Sequence, residues 1–64
     1  MPAQWTAEVV AKMHMNGITK KQLAERMNYT HEWVGKILNG HKEPAGAEAK
    51  FRAVLDELIQ EKTA

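Results

Sequence analysis

The sequence predicts an all-α domain of four to five short helices on three observations. Apolar residues recur at spacings of three and four, capping residues stand ahead of the apolar runs, and glycine or asparagine closes them. No stretch alternates apolar and polar residues over the length of a strand, and β-branched residues are sparse. Sixty-four residues suit one domain spanning 1–64. A chain of this size buries only about 60% of the surface its unfolded form exposes, so each core position matters.

The first helix is expected from about Thr6 to Asn16, with Thr6 as N-cap and Glu8 near the positive helix end. Trp5, Val9 and Met13 form its apolar stripe, with Val10 alongside, and Gly17 suits the left-handed residue that ends a helix. The second helix, about 20–27, has the strongest local signals. Thr19-Lys20-Lys21-Gln22 fits the capping box, Ile18 and Leu23 fit the hydrophobic staple, and Leu23, Ala24 and Met27 share a face. Asn28 tolerates the left-handed backbone needed to stop it. Thr30 caps the third helix, about 31–39, with Tyr29 and Val34 as its staple, Val34, Ile37 and Leu38 as its inner face, and Gly40 as its stop. Pro44 either ends the following loop or sits in the first turn of the fourth helix, about 46–62. That helix carries Phe51, Val54, Leu55, Leu58 and Ile59 at helical spacing.

The net charge of +1 conceals a split. Residues 9–42 carry six lysines and arginines against two acids, whereas residues 43–64 carry three against five. A basic body with an acidic tail suits a polyanionic partner. The chain has no cysteine, which excludes disulfides and thiolate metal sites. No apolar run approaches the roughly 18 residues of a membrane span, and the start of the chain lacks the regions of a signal peptide. The expectation is a cytoplasmic protein, nucleoid-associated in a bacterial host, without a membrane partner.

Two capped, stapled helices separated by so short a connection must meet at a sharp angle, as in a DNA-binding helix-turn-helix between Thr19 and Gly40. In that geometry the first helix of the pair braces on the phosphate backbone, and the second presents its N-terminal residues to base edges in the major groove. Ala24, where the helices would cross, leaves room for close approach, and Leu23, Met27, Val34 and Ile37 would lock the pair.

Ile18-Thr19-Lys20-Lys21-Gln22-Leu23-Ala24-Glu25-Arg26-Met27 resembles the opening of the phage-repressor-like (Cro/XRE, lambda-repressor-like) helix-turn-helix. Val34-Gly35-Lys36-Ile37-Leu38-Asn39-Gly40, followed by Pro44, resembles its recognition-helix end. The sequence departs from the family in opening the bracing helix with Lys20 rather than Gln, and in carrying Asn28 where the turn has Gly. The resemblance implies sequence-specific binding of double-stranded DNA by a small transcriptional regulator of phage or mobile-element type. By matching position it implies that His31, Glu32, Trp33 and Lys36 read bases, and that Lys20, Lys21, Thr30, Asn39 and Lys42 hold phosphates. Glu32 suits a cytosine amino group, Lys36 a guanine, and Trp33 a thymine methyl. The other reading of Trp33 is that it folds back onto the protein surface or a partner chain.

The resembled family binds as dimers on half-sites about one helical turn apart. With Phe51, Val54 and Leu58 closing the core, Leu55 and Ile59 are expected at the surface, giving a homodimer interface of Leu55, Leu58 and Ile59 on the C-terminal helix. No enzyme is expected, because no nucleophile stands with a base in a recognisable order and no Gly-rich loop precedes a helix. His14, His31 and His41 are scattered without metal-ligand spacing, so no metal, cofactor or small-molecule ligand is expected. The alternative reading is a helix-turn-helix that serves as a protein-interaction module, antitoxin-like or anti-repressor, without specific DNA readout.

Overall fold

A computed structural model describes residues 4–63, and within them every regular element is an α-helix. The helices are α1 (Gln4–Asn16), α2 (Lys20–Met27), α3 (His31–Leu38) and α4 (Ala47–Thr63). The α1–α2 and α2–α3 junctions follow from local chemistry. Gly17 turns the chain out of α1 with φ +67°, and the Ile18 amide reaches back to the Met13 carbonyl at 2.8 Å. The capping box of α2 is complete: the Gln22 amide donates to Thr19 Oγ1 at 3.1 Å, and the Thr19 amide donates to Gln22 Oε1 at 2.8 Å. Asn28 closes α2 at φ 61°, the only non-glycine positive φ among the described residues, and the Thr30 hydroxyl accepts from the Trp33 amide at 3.0 Å to open α3.

α4 packs against α1 and α2, while α3 packs against α2 and α1, so the core lies between the α1–α4 pair and the α2–α3 pair. Leu23, Val34, Ile37, Phe51, Leu55 and Val9 are fully buried at its centre, with Ala24, Met27, Ile18 and Leu38 among the residues around them. Both staples are realised: Ile18 is buried with Leu23, and half-buried Tyr29 packs on the core that holds Val34. The radius of gyration, 10.8 Å, matches the roughly 10.7 Å expected for a compact chain of this length.

Three sequence expectations are corrected. Thr6 is not an N-cap: α1 already includes Gln4 and Trp5, and Thr6 is buried within the helix. The reason is long-range, because the Trp5 indole meets the Phe51 ring edge-on at 5.7 Å and donates to Glu43 Oε1 at 3.2 Å. Val10 lies outside the core at 41% exposure. On α4, Leu55 is 1% exposed and Leu58 8%, whereas Val54 is only half-buried. The C-terminal helix is therefore rotated relative to the expected assignment. Leu55 and Leu58 are occupied inside the domain and cannot form a dimer face, and Ile59 is half-buried against the same core. Of the two positions open to Pro44, the chain takes the loop: its carbonyl accepts from the Ala47 amide at 3.1 Å, ahead of α4.

Ion pairs line both edges of α4. Lys12 meets Asp56 at 2.9 Å and Arg52 meets Glu8 and Glu48 on the α1 side, while Arg26 of α2 meets Glu57 and Glu61 on the other. The Arg26–Glu61 contact is bidentate, at 2.5 and 2.6 Å. Its hydrogen bonds hold the Glu61 carboxyl below the usual glutamate range. A carboxylate with a depressed folded-state pKa stabilises the fold above its unfolded pKa, and that contribution disappears as pH falls through the folded value. Glu61→Gln is accordingly expected to lower Tm slightly at neutral pH. The difference from wild type should shrink from about pH 4.3 downward, checked by thermal melts across a pH series.

Candidate nucleic-acid interface

α3 is an eight-residue helix whose inner stripe of Val34, Ile37 and Leu38 is buried, which turns His31, Glu32, Lys36 and the adjoining Asn39 to solvent. The helix is held from two sides. Its entry turn is tied down through Tyr29, whose amide donates to the Ala24 carbonyl at 2.9 Å and whose hydroxyl accepts from Lys50 Nζ at 2.9 Å. The loop after it is tied to α1 by the Trp5–Glu43 hydrogen bond. The amides of His41 and Lys42 both donate to the Lys36 carbonyl, at 2.9 and 3.3 Å, so the chain folds back over the last turn of α3 and brings the backbones of Lys36 and Lys42 together.

Trp33 is only half-exposed and packs against the hydrophobic core. That position fits the reading in which the indole folds back along one flank of α3, while its remaining exposed part stays on the outer side of the helix. Thr30 is exposed, but its hydroxyl is engaged in capping α3. The remaining assigned residues, Lys20, Lys21, His31, Glu32, Lys36, Asn39 and Lys42, are wholly or partly solvent-exposed.

The fold sorts the charges in a way that sequence spacing does not reveal. Of nine lysines and arginines, Lys12, Arg26 and Arg52 are in ion pairs, Lys50 donates to Tyr29, and Lys62 donates to the Asn16 and Gly17 carbonyls at the end of α1. Four remain without an ion pair or side-chain hydrogen bond among the described residues: Lys20, Lys21, Lys36 and Lys42. Of eight acids, Glu8, Glu48, Asp56, Glu57 and Glu61 are ion-paired and Glu43 accepts from Trp5, leaving Glu25 and Glu32. All six unengaged charges lie on α2, α3 and the loop after it, and their balance is positive.

Gly35 is the other feature that spacing alone did not single out. Gly17, Gly40 and Gly46 all have positive φ, whereas Gly35 sits inside α3 with helical backbone. A Cβ built on it would meet nothing within 4 Å. Glycine inside a helix costs roughly 1 kcal/mol relative to alanine, so this position gives up stability with no visible return inside the domain.

Among the described residues, no group of three or more His, Cys, Asp or Glu side chains is placed to hold a metal ion, and no helix is long and apolar enough to cross a membrane. A scan against family models finds no match, and searches of curated proteins and of solved structures find none either.

Proposed function

We propose that this chain is a sequence-specific double-stranded-DNA-binding protein, a small transcriptional regulator of the phage-repressor-like helix-turn-helix kind, acting in the cytoplasm on the nucleoid. The observation that carries this reading is the charge sorting. The fold engages five of its nine cations internally, and the four it leaves unengaged are the four lysines assigned to DNA from their positions in the sequence. α3 enters the major groove, with His31, Glu32 and Lys36 facing base edges. Lys20 and Lys21 at the start of α2, with Asn39 and Lys42 after α3, neutralise flanking phosphates. Released counterions then supply much of the affinity.

Unengaged Glu32 on the outer face of α3 favours a second reading, a protein-interaction module, because a carboxylate opposes a phosphate-lined groove. Fluorescence titration of random duplex DNA over a salt series separates the two. With three to four phosphate contacts, the slope of log K against log salt is expected at about −2.7 to −3.6. A flat salt response, or no binding at low salt, would refute the DNA reading and leave the interaction module.

A further inference from the structure

We propose that Gly35 is a contact point for the sugar–phosphate wall of the DNA groove, kept free of a side chain so that one strand can lie against the backbone of α3. The proposal rests on the DNA reading above. Two reasons internal to a fold call for glycine: a left-handed backbone, or crowding by the protein's own atoms. Neither holds at Gly35, which has helical φ and open space where a Cβ would stand. The remaining reason is close approach by something outside the domain.

Position on the helix identifies what approaches. At 100° per residue, Gly35 lies roughly a right angle away from the buried stripe of Val34, Ile37 and Leu38, on the flank opposite Trp33. It shares that flank with His31 and Asn39, one turn before and after it, and Lys36 follows directly. A helix seated in the major groove turns its outer face to base edges and its flanks to the walls. The flank covered by Trp33 is bulky and the flank at Gly35 is bare, so the bare side can sit closer to a strand. Unengaged Lys42, whose amide folds back onto the Lys36 carbonyl at 3.3 Å, supplies the positive charge that makes a phosphate strand the fitting occupant.

The test is a series of Gly35→Ala and Gly35→Leu, measured for thermal stability and for affinity toward a short duplex selected from a random library by the wild-type protein. Gly35→Ala is expected to raise Tm by about 4–8 °C, because a helix-interior glycine is replaced in open space. It should also weaken binding about tenfold, and Gly35→Leu should weaken it further. The salt slope should stay at its wild-type value, since no charge is removed. Wild-type affinity in both variants, or a fall in Tm for Gly35→Ala, would overturn the proposal while leaving the DNA reading intact. A wild-type protein that selects no duplex and binds none would overturn both.

Discussion

Leu55→Ala is expected to cost about 2–5 kcal/mol of stability, much of what a domain of 64 residues holds at about 0.05–0.15 kcal/mol per residue. Leu55 is 1% exposed and lies in the same core as Val9, Phe51 and Leu58, so truncating it opens a cavity where α4 meets the rest of the domain. Thermal melts should show Tm falling by about 8 °C or more at roughly 4–8 °C per kcal/mol. The fall should be the same at low and high protein concentration, because the lost contacts lie within one chain. Ile59→Ala, at a half-buried position, should have a smaller effect. An unchanged Tm for Leu55→Ala, combined with loss of a dimer in sedimentation, would restore Leu55 to an interface and contradict the packing described above.

What was legible in the sequence divides along the range of the interactions concerned. The Thr19–Gln22 capping box, the Asn28 stop and the Thr30 cap each involve groups within a few residues of one another, and all of them form. The apolar residues that join α2 to α3, Leu23, Ala24, Met27, Val34 and Ile37, were legible for the same reason, since short helices with a short turn leave them one way to face. The rotation of α4 was not legible. Five apolar residues spread over a wide arc of a 17-residue helix do not say which part of the arc meets α1 and which meets α2. Nor was the extension of α1 through Trp5, which depends on Glu43 and Phe51 far along the chain. On the candidate surface, the residues that bear charge were legible. Which charges the fold engages internally was not, because pairs such as Lys12–Asp56 join residues 44 apart.

Lys36→Ala is expected to weaken binding to a selected duplex by about 1–3 kcal/mol, or roughly 5- to 150-fold, without changing Tm. Lys36 is exposed and makes no ion pair or side-chain hydrogen bond among the described residues, so removing its ammonium leaves the fold undisturbed. Lys12→Ala is the matched comparison. It removes the same charge from the chain, but from a side chain committed to Asp56 at 2.9 Å on the α1–α4 edge. Its effect on affinity should stay within about twofold, as for a charge outside the contact surface screened by salt. Equal losses from the two substitutions would mean that overall charge, not the outer face of α3, governs binding. Lys42→Ala should act differently again. As a phosphate contact it should weaken binding to all sequences alike and reduce the salt slope by about 0.9.

Selection of binding sites from random duplex DNA by the full chain tests the central claim most directly, because it asks at once whether the protein binds DNA, whether it reads sequence, and through which residues. The expected result is enrichment of a short motif whose preference at one or more positions relaxes in Lys36→Ala but persists in Lys12→Ala. Recovery of no motif, with equal affinity for selected and scrambled duplexes, would contradict the assignment of α3 as a reader of bases.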